Sequence, residues 1–190
     1  MKAIILAAGY ATRLYPLTRN RPKPLLTIGN STILDYLIDK LERVNNLEEV
    51  YIVTNDKFYE HFVEWKETYR GEVRLTIIND ETTSNSDRLG AIGDLQLVID
   101  KEEIADNLIV LAGDNLFDFE LTDFVEYYEW VKKDCITVFE LDDLKELQQT
   151  GVVTVDKENN VQSFEEKPVE PKSNLAVPPC YLYRQDTLPL

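Results

Sequence analysis

The sequence predicts an open α/β fold in which a mostly parallel sheet carries helices on both faces. Three observations support this prediction. The apolar run Lys2–Ala8 ends at Gly9, which is typical of a strand buried on both faces. Further strand-like runs alternate with helix-like segments up to Leu141, an order that requires right-handed crossovers. Beyond Leu141 only short strand-like runs follow, which indicates a small antiparallel extension near the C-terminus.

The individual elements follow from the spacing of apolar residues. Helical spacing predicts helices from Ser31, the expected N-cap, to Val44 and over Lys57–Tyr69, Leu89–Ile99 and Thr122–Lys132. Continuous apolar runs predict strands over Val50–Thr54, Val73–Ile78, Leu108–Ala112 and Cys135–Leu141. The extension contains Gly151–Val155, Val161–Phe164 and Val177–Tyr183.

Length and composition narrow the class of protein. The 190 residues fit a single domain, which we divide into a core over 1–141 and an extension over 142–190. A net charge of −15 argues against nucleic acid or an anionic membrane as a partner. Two cysteines cannot form a disulfide framework, and the single histidine lacks metal-type spacing. We therefore expect a reduced, cytoplasmic setting, with no apolar run long enough to cross a membrane.

The positive charge is concentrated near the N-terminus. Residues 1–34 contain five Lys and Arg and no Asp or Glu, and four of the five cations lie between Arg13 and Lys23. We expect these cations to have no local carboxylate partner. A compact cationic site in an acidic protein suits a small polyanion.

The loop after the first strand has the features of a phosphate-binding loop. Gly9 permits a turn whose backbone N–H groups can bind phosphate oxygens, Thr12 adds a hydroxyl, and Arg13 and Lys23 add charge. The pattern matches neither the P-loop nor the dinucleotide fingerprint. A tight turn with solvated arginines is the alternative, but the long irregular stretch 9–30 favours a functional loop.

Asp114 follows the predicted strand Leu108–Ala112. A carboxylate at the end of a buried strand is costly unless it is paired or binds a cation, and Mg²⁺ is typically held by one or two carboxylates plus substrate phosphates. Asp114 is therefore a candidate metal ligand, with a cap of the following loop as the alternative.

Two segments together resemble the signature of a known family. Leu6-Ala-Ala-Gly-Tyr-Ala-Thr-Arg-Leu-Tyr-Pro-Leu-Thr18, followed by Pro22-Lys-Pro-Leu-Leu26, is similar to the sugar-phosphate nucleotidyltransferases, the NDP-sugar pyrophosphorylases of the glucose-1-phosphate thymidylyltransferase and mannose-1-phosphate guanylyltransferase type. This resemblance implies their Rossmann-like fold. It also implies Mg²⁺-dependent transfer of a nucleotidyl group from a nucleoside triphosphate to a sugar 1-phosphate, with release of pyrophosphate.

The resemblance also assigns roles to individual residues. It implies catalytic roles for Arg13, Lys23 and Asp114, with Asp114 as the Mg²⁺ ligand. It implies a nucleotide site made of Leu6, Ala8, Gly9, Ala11, Thr12, Arg13, Lys23 and Gly90. Gly151, Glu166, Lys167 and Asn174 would bind the sugar phosphate, with Gly151 allowing close approach of the pyranose.

Three departures from the family pattern limit what can be assigned. Ala11 stands where the family often has Gly. Asp94 replaces a usual small residue, so the identity of the nucleobase is not assigned. Pro178-Pro-Cys-Tyr181 stands where the family tends to have Thr-Gly, so the identity of the sugar is not assigned. Gly93 is equally suited to packing and to ligand contact. Two rival functions remain: a nucleotide-binding module without turnover, and a cytidylyltransferase acting on an alcohol phosphate such as phosphocholine.

The resemblance raises one question about the C-terminus. The family has a second metal-binding Asp on a strand beyond the segment that corresponds to Val177–Tyr183. We therefore expect the chain to be the N-terminal part of a longer protein, binding triphosphate but releasing less pyrophosphate alone. The alternatives are a short member completed by another subunit, as in a homo-oligomer, or a metal held mainly by substrate phosphates.

Overall fold

The computed structural model describes residues 1–188, which form two compact units. Unit 1 contains Met1–Asp134 and the segment from Leu182 onward, and unit 2 contains Cys135–Tyr181. No helix within the described residues combines the length and apolar character needed to cross a bilayer.

Unit 1 is an α/β unit. Its strands are β1 (Lys2–Leu6), β2 (Thr27–Ile28), β3 (Ser31–Thr32), β4 (Glu49–Thr54), β5 (Arg74–Asn79) and β6 (Leu108–Ala112). Its helices are α1 (Ile33–Glu42), α2 (Tyr59–Thr68), α3 (Gly90–Lys101) and α4 (Leu121–Val131). The central strands are parallel and lie in the order β5-β4-β1-β6, while β2 and β3 form a separate antiparallel pair. The predicted alternation of strands and helices is confirmed.

The central strand β1 determines where the loops of unit 1 meet. Leu6 at its carboxyl end is in register with Val53 of β4 and with Ala112 of β6. Every residue of β4 is buried, as expected for a strand covered on both faces. The loops that follow these three parallel strands therefore start at the same edge of the sheet.

Unit 2 is mainly antiparallel. It contains β7 (Cys135–Ile136), β8 (Phe139–Glu140), α5 (Leu144–Leu147), β9 (Gly151–Val155), β10 (Val161–Glu166), β11 (Leu175–Val177) and the start of β12 (Cys180–Tyr183). Four of these strands form an antiparallel sheet in the order β10-β9-β11-β8, with Leu147, Val152 and Ala176 in its core. The predicted antiparallel extension is confirmed.

The predicted single strand Cys135–Leu141 is wrong. It is divided into β7 and β8 because its two parts have different partners: β8 pairs with β11, whereas the N–H and the hydroxyl of Thr137, just after β7, both donate to the carbonyl of Cys180 in β12, at 3.2 and 3.3 Å. An apolar run shows that a segment is extended, but it cannot show where pairing with one partner ends.

The N-cap of α1 is Thr32, one residue later than predicted. Thr32 Oγ1 accepts from the Asp35 N–H at 3.1 Å, and Asp35 Oδ2 accepts from the Thr32 N–H at 2.6 Å, which makes a capping box. Ser31 instead pairs with Ile28 in the β2–β3 hairpin. The remaining oxygen of Asp35 accepts from Trp65 Nε1 at 2.8 Å, so this one carboxylate joins α1 to α2.

We predict that Asp35→Ala lowers the free energy of unfolding by about 2 kcal/mol, because it removes two hydrogen bonds to a charged acceptor, one from the Thr32 N–H in the capping box and one from Trp65 Nε1. Urea unfolding measures the change. Asp39→Ala is the matched control, since Asp39 lies on the same helix and makes an exposed ion pair with Arg43. That control should cost less than about 0.5 kcal/mol. Equal losses in the two variants would contradict the linking role of Asp35.

Candidate functional site

The carboxyl ends of β1 and β6 approach each other closely. The Gly113 N–H, just after β6, donates to the Leu6 carbonyl at 2.8 Å. A Cβ on Gly113 would lie 3.1 Å from both Ile5 Cγ2 and the Leu6 oxygen, so a larger residue would force these segments apart. Asp114 therefore comes directly beside the loop that begins at Ala7.

The loop after β1 is held in shape by its own hydrogen bonds. The Ala11 carbonyl accepts from Thr18 Oγ1 at 2.7 Å and from the Leu14 N–H at 3.0 Å, and Thr18 is fully buried. Ala11 has φ +46°, in the left-handed region, which explains why a glycine suits this position. Nothing lies within 4 Å of the Cβ position of Gly9, so a ligand can reach the backbone there.

The predicted phosphate-binding side chains lie on short turns of this loop. Thr12 and Arg13 lie in a 3₁₀ turn, Thr12–Leu14, and are exposed. Arg13 has no hydrogen-bond or ion-pair partner within residues 1–188, so its charge is available to a ligand. Lys23 begins a second turn, whose next residues, Pro24 and Leu25, are buried and anchor it.

Lys23 has a carboxylate partner, contrary to the sequence-based expectation. Its Nζ lies 2.8 Å from Asp114 Oδ2, and both side chains are partly exposed. The partner was missed because it comes from the end of β6, 91 residues further along the chain. The structure thus brings together the cation and the carboxylate to which the sequence assigned catalytic roles.

A divalent cation fits at Asp114 on one condition. The described residues contain no group of three or more His, Cys, Asp or Glu side chains that could hold a metal. Asp114 offers one carboxylate with 45% of its side chain exposed, and Glu120 further along is engaged by Lys40 and Arg43. Because Mg²⁺ is commonly bound by one or two carboxylates plus substrate phosphates, the site fits Mg²⁺ when a phosphate-bearing ligand completes it.

Asn55 and Tyr10 support the loop and were missed by the sequence reasoning. Asn55 is fully buried; its Nδ2 donates to the Ala8 carbonyl at 2.8 Å, and its Oδ1 accepts from the Phe58 N–H. The Tyr10 hydroxyl donates to the Thr82 carbonyl at 3.0 Å, which links the loop after β1 to the segment after β5. Asn55 directly follows a buried strand, so the rule that singled out Asp114 could also have found it.

Gly90 and Gly93 at the start of α3 have different roles. Gly90 has φ +78°, and nothing lies within 4 Å of its Cβ position, so its backbone is open to a ligand. A Cβ on Gly93 would come 2.8 Å from the Leu89 Cβ, which favours the packing role for Gly93. Before this helix, Asp87 accepts hydrogen bonds from Thr83 and Ser84, and these bonds lower its pKa to about 2.

Asp94 points away from solvent. Burial raises the pKa of the Asp94 carboxyl to about 7, and the charge of Asp80 and a hydrogen bond with it add to the rise. The side chain is only 6% exposed. Asp94 therefore replaces the small residue of the family pattern as a buried partner of Asp80.

In unit 2, three of the four predicted sugar-phosphate residues lie together. Gly151 of β9 is in register with Glu166 of β10, and Lys167 follows with φ +47° while its N–H donates to the Thr150 carbonyl. Lys167 Nζ lies 2.9 Å from Glu166 Oε1, and both side chains are about 60% exposed. The arrangement presents a cation and a carboxylate to solvent at one strand end.

The surroundings of Gly151 differ from what the resemblance implied. A Cβ on Gly151 would lie 2.8 Å from Cζ of Phe164, so the aromatic ring covers this glycine where a pyranose was expected. Asn174 lies elsewhere: β11 places Val177 opposite Gly151, and Asn174 is about 10 Å further along that strand direction. Tyr181 was not predicted, yet burial and the charge of Glu166 raise the pKa of its phenol, which places it near Glu166.

Known proteins resemble this chain along most of its length. A family model described as "Nucleotidyl transferase" matches residues 2–189. The bifunctional protein GlmU of Methanococcus aeolicus is 32% identical over 182 residues, covering 92% of this chain and 38% of the relative. The UTP–glucose-1-phosphate uridylyltransferase AglF of Haloferax volcanii is 29% identical over 183 residues, covering 96% of this chain and 72% of the relative.

A solved structure agrees with these relatives. A Bacillus anthracis protein, provisionally assigned as a glucose-1-phosphate thymidylyltransferase and crystallised with a sucrose, superposes with a TM-score of 0.82 and 28% identity; the match covers 98% of this chain and 72% of that protein. The chain spans less than half the length of the GlmU relative. Because the family model matches nearly every residue, the chain belongs to the nucleotidyl transferase family.

Proposed function

We propose that this chain transfers a nucleotidyl group from a nucleoside triphosphate to a sugar 1-phosphate, giving an NDP-sugar and pyrophosphate. The observation that carries the proposal is the 2.8 Å pairing of Lys23 with Asp114 beside the open backbone at Gly9. This arrangement provides a cation, a carboxylate for a metal and a place for phosphate oxygens. The name of the AglF relative, a UTP–glucose-1-phosphate uridylyltransferase, supports the substrate classes.

The two units would contribute different binding residues. In unit 1, Leu6, Ala8, Gly9, Ala11, Thr12, Arg13, Lys23 and Gly90 would bind the nucleotide. In unit 2, Glu166 and Lys167 would bind the sugar phosphate, with Tyr181 near Glu166 as a further candidate, while Gly151, which the Phe164 ring covers, and Asn174 remain predictions. Glu166 and Lys167 suit a sugar phosphate because both are exposed: the Glu166 carboxylate can accept hydrogen bonds from sugar hydroxyls, and the Lys167 ammonium can donate to the phosphate.

The reaction needs no nucleophilic side chain. A phosphate oxygen of the sugar 1-phosphate attacks the α-phosphorus of the triphosphate, and pyrophosphate leaves. Because both reactants are anions, catalysis consists mainly of positioning them and neutralising the charge that develops. Arg13, which has no partner among residues 1–188, and Lys23 are the cations of unit 1 suited to this task.

Lys23 exchanges partners in this mechanism. Without substrate, its ammonium group is neutralised by Asp114 at 2.8 Å. When a triphosphate binds, Lys23 turns to the phosphate oxygens, and the Asp114 carboxylate becomes free to hold Mg²⁺. Bound Mg²⁺ would supply neutralisation of phosphate charge and orientation of the phosphate oxygens. An exposed ion pair is weak, so its exchange opposes binding by about 1 kcal/mol at most.

The direct test is a pyrophosphate-release screen of the purified protein, with a panel of nucleoside triphosphates against a panel of sugar 1-phosphates. We expect release with at least one pair and only in the presence of the sugar phosphate. Release with phosphocholine alone would point to an alcohol-phosphate enzyme. Triphosphate binding without release for any acceptor would favour a non-catalytic module.

Removing either of the two proposed phosphate-binding cations, Arg13 or Lys23, should slow turnover while leaving the fold intact. We predict that Arg13→Ala and Lys23→Ala each lower kcat/KM by about 10²-fold, the usual effect of losing one preorganised charge contact in a transition state. Lys66→Ala, an exposed cation on α2, serves as the control and should retain full activity. Normal kinetics for both loop variants would reject the phosphate-binding role of the loop.

Asp114→Asn keeps the shape of the side chain and removes its charge. We predict that the Mg²⁺ concentration needed for half-maximal pyrophosphate release rises about tenfold, equivalent to roughly 1.4 kcal/mol. Asp118→Asn, an exposed carboxylate four residues later, is the control and should leave the Mg²⁺ titration unchanged. An unchanged titration for Asp114→Asn would contradict the role of Asp114 as a ligand.

Lys167 should act on the sugar phosphate alone. We predict that Lys167→Ala raises the KM for the sugar 1-phosphate by about tenfold, because one charge-assisted hydrogen bond to phosphate is lost. Triphosphate binding, measured by calorimetry, should stay the same. Lys157→Ala in the β9–β10 turn is the matched control. Loss of triphosphate binding in Lys167→Ala would show that unit 2 is assigned to the wrong substrate.

A further inference from the structure

Two buried carboxyl groups face each other beside the proposed nucleotide site. Asp80 is 7% exposed and Asp94 is 6% exposed. Asp80 Oδ2 and Asp94 Oδ1 are buried oxygens that receive no hydrogen bond from any N–H or hydroxyl group among residues 1–188. The charge of Asp80 and a hydrogen bond with it both raise the pKa of the Asp94 carboxyl, so the two side chains lie close together. Two acceptors can satisfy each other only when they share a proton.

Two hydrogen bonds to neighbouring backbone groups fix the position of Asp80. Its N–H donates to the Thr54 carbonyl at 2.9 Å, and its Oδ1 accepts from the Thr82 N–H at 2.7 Å. The Thr82 carbonyl in turn accepts from the Tyr10 hydroxyl and from the Asp56 N–H, both at 3.0 Å. Asp80 is therefore connected through Thr82 to Tyr10, the neighbour of Gly9.

Asp94 lies on the other side of the pair, four residues after Gly90 in the first turns of α3. The bond between Asp80 and Asp94 thus connects the start of this helix to the end of β5. A short chain of contacts runs from the loop after β1, through Thr82 and Asp80, to the segment that contains Gly90.

We propose that Asp80 and Asp94 are positioning residues for the nucleotide, whose shared proton fixes the start of α3, with Gly90, relative to the loop that contains Gly9. The inference rests on the proposed function, since Gly9 and Gly90 are nucleotide-binding residues only in that proposal. It adds a dependence of nucleotide affinity on protonation that the family resemblance does not imply.

The proton is held below about pH 7, since burial and Asp80 raise the pKa of Asp94 to about that value. An unfolded Asp titrates near pH 4. The folded protein therefore retains a proton that the unfolded chain releases between about pH 4 and 7, and stability falls as the pH rises through that window. Above it, two negative charges face each other in a buried site, which loosens the start of α3.

Two neighbouring titratable groups, Tyr10 and Asp87, keep the same charge in this range, and a third, Asp56, is hydrogen-bonded. From the loop after β1, Tyr10 has a pKa raised above 10 by burial, so its phenol stays neutral. From the turn before α3, Asp87 has a pKa of about 2 and stays ionised. From the turn after β4, the Asp56 carboxylate accepts from Asn79 Nδ2 at 2.8 Å. A transition near neutral pH that disappears in Asp94→Asn would therefore report the Asp80–Asp94 pair.

Isosteric variants separate the hydrogen bond from the proton. In Asp94→Asn the side-chain amide donates to Asp80 at every pH, so the connection persists without titrating. Asp94→Ala removes the connection at every pH. Asp100→Asn is the control on the same helix, where an exposed carboxylate accepts from Gln96.

The test measures the Kd of the tightest-binding Mg²⁺–triphosphate from the panel at about pH 6 and about pH 8.5. We expect the affinity of the wild type to fall by about fivefold or more at the higher pH, the low end of typical coupling between sites. Asp94→Asn should show little of that fall, Asp94→Ala should bind weakly at both values, and Asp100→Asn should follow the wild type. Titration of the triphosphate itself is common to all variants and cancels in the comparison. A wild-type pH dependence in Asp94→Asn, or wild-type affinity in Asp94→Ala at the lower pH, would overturn the proposal.

Hydrogen exchange without nucleotide separates this inference from the proposed function. Amides of residues 80–94, corrected for intrinsic exchange rates, should lose protection at the higher pH in the wild type and keep it in Asp94→Asn. If no triphosphate binds at either pH while this difference is present, the proposed function and the nucleotide role of the pair fail together, and the proton-sharing pair itself stands. If triphosphate binds and the exchange difference is absent, the proposed function survives and the inference fails.

Discussion

The close approach of β1 and β6 is the constraint on which the functional part of unit 1 depends. Gly113 allows its N–H to reach the Leu6 carbonyl at 2.8 Å, and a Cβ there would lie only 3.1 Å from the Leu6 oxygen. That contact places Asp114 within ion-pair distance of Lys23, although the two residues are far apart in sequence. The buried parallel strands hold the site in place, and the loops at their carboxyl ends carry the side chains that would contact a ligand.

Electrostatics determines how this arrangement can receive a highly charged ligand. The protein is acidic overall, but its N-terminal segment is cationic, so attraction is confined to a small region. The pairing of Lys23 with Asp114 keeps that region partly neutral before a ligand arrives. The carboxyl groups of Asp80 and Asp94 are buried nearby, between the end of β5 and the start of α3, and stay in contact while they share one proton. In both cases a close partner offsets a carboxylate charge near the site: the Lys23 ammonium offsets Asp114, and a shared proton offsets the Asp80–Asp94 pair.

Sequence reasoning succeeded where the physical signal was local. The parallel core, the antiparallel extension and Asp114 at the end of a strand all followed from apolar runs and from what terminates them. It failed where the partner is distant: the pairing of Lys23, the support from Asn55 and Tyr10, and the ring of Phe164 over Gly151 depend on tertiary contacts. The position of Asn174 depends on strand register, which a short antiparallel strand without a tight turn does not reveal. The buried role of Asp94 was hidden because a charged residue at a helix start usually faces solvent.

The exchange of Lys23 between Asp114 and phosphate is the central claim, and one structure tests it most directly. A crystal structure of the protein with Mg²⁺ and a non-hydrolysable nucleoside triphosphate should show Lys23 Nζ within hydrogen-bond distance of a phosphate oxygen and Asp114 bound to the metal. The contradicting result is a triphosphate bound away from Gly9, or one bound there while Lys23 remains 2.8 Å from Asp114.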